Sequence, residues 1–168
     1  MIDKITITSI GMPKDMFKTR DVMGQKLTKP VLQAAVAVWH EKMLPEHFKA
    51  HAANRYHYRS RKASTKKKKA RAAARGNSEA RLPLVYSGRL KREVTRMVRV
   101  TGTAKKATAN MSGPRYVHMY SKGGDRPFLA GELTATTAAE RDELVKFVDA
   151  EMTRRMNEDD SKTVTRVG

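Results

Sequence analysis

Apolar residues along the chain fall into short runs whose spacing switches between two and about three and a half residues. Residues Asp3–Ile10 alternate, with Ile5 and Ile7 separated by polar neighbours in β-favouring company, and predict a strand that Gly11-Met12-Pro13 ends. Met16, Phe17, Met23 and Leu27 suggest a helical stretch over 14–26, though Gly24 and Pro30 argue against one long helix. Leu32, Ala35, Val36, Trp39 and Met43 then recur at i, i+3, i+4 and i+7, the stripe of an amphipathic helix. Thr28 is placed to cap it, Pro30 fits a first turn, and Pro45 is expected to stop it. Trp39 reads as a core anchor of that stripe.

Residues 46–82 show no apolar period and read as a long excursion, aromatic and basic at first, then Lys66-Lys67-Lys68-Lys69, then an alanine-rich stretch with Arg71 and Arg75. Ala70–Ala74 can turn helical once the neighbouring charges are neutralised. From Pro83 the text is apolar again. Ser87 is placed to cap a short helix through Glu93, and Val94–Thr101 alternates as a half-buried strand. Gly102-Thr103 turns the chain, Ala107–Met111 pairs back, and Tyr116–Tyr120 suggests a further strand between Gly113-Pro114 and Gly123-Gly124. Thr137-Ala138-Ala139-Glu140 is a capping box. The helix it opens carries Leu144, Phe147, Val148, Met152 and Met156 near one face, and Asn157–Gly168 reads as a frayed polar tail. The sum is an α+β fold: a small antiparallel sheet packed against two main helices. Its body comprises 1–45 and 83–156, with 46–82 as a basic arm and 157–168 as a flexible tail.

Charge sharpens this picture. The 168 residues carry 35 Lys and Arg against 17 Asp and Glu, a net +18, and no cysteine. Residues 46–82 hold twelve of the basic groups and only two acidic ones, whereas 132–168 are net acidic. So large a positive block calls for counterions, nucleic acid or an acidic protein surface. The missing cysteines exclude a disulfide scaffold, a thiolate metal site and a cysteine nucleophile. The longest apolar run, Ala34–Trp39, is six residues, against about 20 for a membrane span, and Met1-Ile2-Asp3-Lys4 lacks a signal-peptide layout. A soluble protein made in the cytoplasm, with no membrane partner, is expected.

Catalytic patterns are weak. His47 and His51 stand four apart but lack a supporting carboxylate, His40-Glu41 does not extend to a zinc-helix motif, and the histidines read as wet or interface groups. Gly123-Gly124 is no phosphate loop, and Ser87-Gly88 is no nucleophile elbow. No enzyme, metal or cofactor is expected. The lysine run with its flanking Tyr and Arg can neutralise phosphates, but no recognised nucleic-acid module is visible.

Three clusters carry a family resemblance. The first is Leu44-Pro45-Glu46-His47-Phe48 followed by Tyr56-His57-Tyr58-Arg59-Ser60-Arg61. The second is Pro83-Leu84-Val85-Tyr86-Ser87-Gly88-Arg89-Leu90. The third is Gly113-Pro114-Arg115-Tyr116 with Arg126-Pro127-Phe128-Leu129 ahead of the last helix. Their order resembles that of the small neck and tail-completion proteins of tailed bacteriophages, a virion-morphogenesis group that includes minor tail components. The resemblance covers most of 30–156 and leaves the lysine run unmatched. It implies a non-enzymatic subunit of a homo-oligomeric ring at the head–tail junction or tail of the virion, beside portal-adaptor, head-closure or tail-terminator proteins. It also implies structural roles for Pro45, His47, Phe48, Pro83, Leu84, Ser87, Gly88, Leu90, Arg126, Pro127 and Phe128. The arm residues Phe48, Tyr56, Tyr58, Arg59, Arg61, Lys66, Lys67, Lys68, Lys69, Arg71 and Arg75 would then face a neighbouring subunit or DNA in the channel. The alternative is a free, sequence-independent nucleic-acid-binding protein acting through the same arm. A ribosomal role would explain the charge but not the Pro-His-Phe and Arg-Pro-Phe-Leu clusters.

Overall fold

The computed structural model describes residues 4–8, 22–85, 88–96, 99–103, 106–114 and 128–164. Residues 14–21 of the helix expected over 14–26, the strand at 116–120, and Ser87, Arg126 and Pro127 lie outside the described residues, while 22–26 belong to the first long helix. A three-stranded antiparallel sheet in the order β1-β3-β2 is built from β1 (Lys4–Thr8), β2 (Arg99–Thr103) and β3 (Lys106–Ser112). Ile5 lies opposite Met111 and Ile7 opposite Ala109, while Val100 faces Ala109 from the other side. The class is α+β, as the alternation of strand and helix periods predicts.

Helix α1 (Val22–Val38) lies between the sheet and α6 (Ala138–Val164). Leu32 and Val36 pack on Ala107 and Ala109 of β3, whereas Val31 and Ala35 pack on Val148 of α6. Two neighbouring stripes of one helix are thus buried on different partners, which is why its apolar face is broader than an a/d seam. Gly102 of β2 permits the close approach of α1, since a Cβ there would lie 2.9 Å from Cγ of Gln33.

The start of α1 departs from expectation: Thr28 is not its cap, and Pro30 sits inside the helix. An interior proline forfeits the bond to the carbonyl four residues back and costs about 3 kcal/mol. Burial of Val31, Leu32, Ala35 and Val36 just beyond it offsets that loss. Nor does Pro45 stop the chain. The α-helix opens into a wide turn at Trp39–Met43, with the Leu44 N–H donating to the Trp39 carbonyl, and then tightens into a 3₁₀ turn at Leu44–Phe48. A proline ring clashes with the carbonyl four residues earlier in an α-helix, and the wider turn relieves that clash.

The main core forms around this turn. Trp39, Met43, Leu44 and Phe48 meet Val85, Leu90, Val94, Met111, Leu133 and Leu144. His40 ties the same region to α4 (Arg89–Val94) by an Nε2 contact of 2.9 Å with the Val94 carbonyl. Val94 therefore ends a helix and does not begin a strand. Leu90 and Val94 stand four apart, and burying both on one helical face outweighs the alternation read from Val94 onward. Gly88 opens α4 in the left-handed region (φ 72°), a conformation glycine adopts without steric cost.

Segment 46–82 is folded and largely helical, which corrects the expectation of an extended arm. It contains α2 (Ala52–Arg55), α3 (Ala63–Ala74) and a 3₁₀ turn at Ser78–Arg81. Phe48, Ala52, Tyr56 and Ala80 are buried, so Phe48 and Tyr56 are core residues and not partner-facing ones. Only α3 buries nothing. Its Ala, Lys and Arg content favours a helix without a partner to neutralise the charge.

Phe128 opens the short helix α5 (Phe128–Leu133). The capping box of α6 is formed: Glu140 N–H donates to Thr137 Oγ1 (3.2 Å), and Thr137 N–H donates to Glu140 Oε2 (2.9 Å). The expected frayed tail is helical to Val164. Ion pairs of Arg154 with Glu151 and Glu158 bridge the stretch where the apolar face ends.

Two substitutions in α6 separate core from surface. Leu144→Ala is expected to cost about 2–5 kcal/mol, the range for a buried leucine that leaves a cavity. Met156→Ala, at a residue 55% exposed, is expected to stay within about 0.5 kcal/mol. Urea unfolding followed by the fluorescence of buried Trp39 measures both.

Candidate functional site

Two carboxylates are buried where α5 and α6 meet the 47–61 stretch. Glu140 is 2% exposed. Its Oε1 accepts hydrogen bonds from the Tyr56 hydroxyl (2.5 Å) and the Arg55 guanidinium (2.9 Å), and its Oε2 completes the capping box. Arg55 also reaches Glu46 at 3.6 Å, so one guanidinium bridges the turn at 44–48 to α6. Glu132 accepts from the Arg59 backbone N–H (3.1 Å) and pairs with the Arg61 guanidinium. Apart from the capping-box amide of Thr137, these donors come from the single stretch 55–61, and Glu132 and Glu140 lie more than 70 residues downstream. A capping-box glutamate thus has a second role as the anchor of the aromatic-basic segment.

Between the carboxylates, three rings stack. His47 lies 3.8 Å from Tyr56, nearly parallel to it, and 6.1 Å from Tyr58. The Tyr58 hydroxyl and His47 Nδ1 are 2.5 Å apart. With the phenol as donor, Nδ1 accepts and the ring proton sits on Nε2, facing the backbone of Glu132 and Ala135. That backbone favours a protonated ring, although Nε2 completes no hydrogen bond of good geometry. Burial dominates and pushes His47 down to about 4, against the upward pull of the Glu140 charge. Burial raises both tyrosines as well, helped at Tyr56 by its bond to Glu140 and at Tyr58 by the charge of Glu132. The histidines at 40 and 47 are therefore buried structural groups, contrary to the expectation of wet or interface ones.

On the outer side of this clamp lies a cleft of about 520 Å³ between the 58–61 strap, α3 and the Leu82–Leu84 turn. Tyr58, Arg59, Arg61, Lys66 and Lys69 line it, together with Arg81, and none of its lining residues is acidic. His47, Glu132 and Glu140 do not reach it. The chain enters along the strap, turns through α3, and returns through Gly76 (φ 93°) and Ser78–Arg81, which brings Arg81 opposite Lys66 and Lys69.

The predicted arm residues thus divide into three groups. Phe48 and Tyr56 are core. Tyr58, Arg59, Arg61, Lys66 and Lys69 converge on the cleft. Lys67, Lys68, Arg71 and Arg75 are exposed on α3 or at its end and do not line it. Of the motif residues, His47, Phe48 and Leu90 are buried, Leu84 lies over the core with a positive φ of 57°, and Pro83 and Leu84 form one wall of the cleft. Sequence reading missed Arg55, Arg81, Glu132 and the second role of Glu140. Gly76-Asn77, a turn pair the sequence reading did not use, is the one local signal for the return that brings Arg81 back toward the lysines. Among the described residues no group of three or more His, Asp and Glu could hold a metal, and no helix is long and apolar enough to cross a membrane. Compared with protein families, curated proteins and solved structures, the chain matches none of them.

The low His47 value makes stability pH-dependent. An unfolded histidine takes up its proton near 6.5, whereas folded His47 resists to about 4. Between those values the unfolded chain binds more protons, so stability falls as the pH drops from 6.5 toward 4 and levels off below. This group contributes at most roughly 3 kcal/mol to that fall. Urea unfolding of the wild type and of His47→Phe between pH 7 and 4 measures it. The variant is expected to lack that share of the slope; parallel curves for the two proteins would rule it out.

Proposed function

We propose that this chain is a structural subunit of a tailed-phage virion, of the neck or tail-completion kind, that acts by assembling into a ring at the head–tail junction. The observation that carries the reading is the meeting of the clusters on which the resemblance rests. Leu44, His47 and Phe48 of the first, Leu84, Val85 and Leu90 of the second, and the helices that follow the third all converge on one core and its polar clamp. Residues that build a body in this way are what a non-catalytic subunit requires, because a repeating heterologous interface needs a rigid unit.

Two further features support it. The buried histidine is held by Tyr58 and the carboxylates by Arg55, Tyr56, Arg59 and Arg61, and none of the three reaches the cleft, so their chemistry is spent on holding the fold together. The surface left over is cationic on α3 and the 58–61 strap and carries several carboxylates on α6. Copies arranged head to tail would bring such surfaces of opposite sign together, whereas the positive block alone repels itself.

Particle composition tests this reading. An epitope-tagged copy, expressed in cells producing the phage, is expected to co-purify with virions and to be seen at the head–tail junction by immuno-gold electron microscopy. Tag found only in the soluble lysate, never on a particle, would overturn it.

A further inference from the structure

Lys69 is the odd residue of α3. Its neighbours on the helix are exposed, but Lys69 is half-buried against the Leu82–Leu84 turn, and its ammonium donates to the Leu82 carbonyl. A neutral carbonyl solvates that charge without cancelling it. Burial and the nearby Arg61 charge both push Lys69 below its usual pKa. The fold therefore holds a cation in a place that is costly unless an anion enters.

The surroundings say which anion. Three guanidinium groups and two ammonium groups, those of Arg59, Arg61, Arg81, Lys66 and Lys69, share one cleft with no carboxylate on its walls. Glu132 neutralises part of this charge through Arg61 and also accepts from the neutral Arg59 backbone N–H. Guanidinium forks and compact ammonium groups together suit the several oxygens of a phosphate. The remaining walls come from Ala53, Tyr58, Ala70, Pro83 and Leu84, side chains against which a sugar can lie. About 520 Å³ accommodates a nucleotide-sized group but not a duplex. Beyond the cleft, Lys67, Lys68 and Arg71 continue the positive charge along exposed α3. Residues 59–81 hold ten Lys and Arg against a single carboxylate, Glu79. A ligand with one charge matches the cleft alone, whereas a strand with one charge per nucleotide can occupy the cleft and run on along the helix.

We propose that this cleft binds the sugar-phosphate backbone of single-stranded nucleic acid, with phosphate seated among Lys66, Lys69 and Arg81 and with Arg59 and Arg61 beside it. Binding is sequence-independent, because these side chains meet phosphates and not base edges. The inference stands apart from the virion reading: either can fail alone.

Two variants that remove equal charge test it. Lys66→Gln/Lys69→Gln/Arg81→Gln removes three of the five cations of the cleft, and an outer variant, Lys29→Gln/Lys42→Gln/Lys106→Gln, removes three exposed lysines away from α3. Binding of each full-length protein to a fluorescent twenty-nucleotide single strand of mixed sequence is measured by anisotropy between 50 and 200 mM salt. The cleft variant is expected to lose at least about tenfold in affinity and about 2 from its log–log salt slope, at roughly 0.7 per phosphate contact. The outer variant is expected to lose less than about threefold. Equal losses would overturn the cleft in favour of diffuse charge. So would tighter binding of a duplex of the same length, no binding at all, or displacement of the strand by polyglutamate at equal charge. Should the triple variant not fold, Lys66→Gln/Arg81→Gln changes only exposed side chains and carries the same expectation at about two-thirds of the slope change.

Discussion

A carboxylate taken out of water must find cations and hydrogen-bond donors or it destabilises the fold that buries it. Glu132 and Glu140 are the two strongly buried carboxylates among the described residues, and both draw their partners from the stretch that ends at Arg61. Much else follows from this constraint. It fixes the direction in which the chain leaves the core after Phe48, and it sets where the 58–61 strap crosses α5. It also determines where α3 begins, and so which lysines face the Leu82–Leu84 turn. Apolar packing forms the body, but the polar clamp gives a segment with little apolar content a defined place on it.

The clamp also redistributes charge. Chemistry that resembles a catalytic constellation, a histidine between tyrosines and glutamates, is closed off inside. The open cleft beside it is lined by five cations and neutral side chains, with no carboxylate. Other carboxylates are held locally: Glu46 by Lys49 and Arg55, Glu93 by Arg89, and Glu151 by Arg154 and Arg155. With these carboxylates engaged elsewhere, they offer the basic helix little competition for a partner's negative charge. An assembling subunit and a phosphate-binding cleft are compatible uses of that surface, since one depends on the rigid body and the other on the strap and α3.

What could be read from the sequence was local. The capping box at Thr137–Glu140, the α1 stripe from Leu32 to Met43 and the pairing of Ala107–Met111 rest on short-range periodicity, and each is present in the structure. Segment 46–82 is hard to read because its buried positions at four-residue spacing, Phe48, Ala52 and Tyr56, are few and include an alanine, Ala80 is isolated, and charged partners far along the chain hold the rest. The wide turn at Trp39–Met43 is the response of a helix to Pro45, two residues past its stripe, which propensity alone reports as a stop. Val94 fits both a strand pattern and an i, i+4 pair with Leu90, and only the tertiary core decides between them. The cleft was half legible. Its lysines stand out as a run, but which of them face inward depends on the return of the chain through Gly76 to Arg81.

Amide hydrogen exchange in Glu140→Gln tests the clamp most directly. Glutamine preserves the capping box while removing the charge that holds Arg55. If the buried carboxylate anchors the aromatic-basic segment, protection across residues 52–61 falls sharply while that of α1 and the β2–β3 hairpin is retained. Unchanged protection over 52–61 would show that apolar packing alone holds this segment, and the central claim would be wrong.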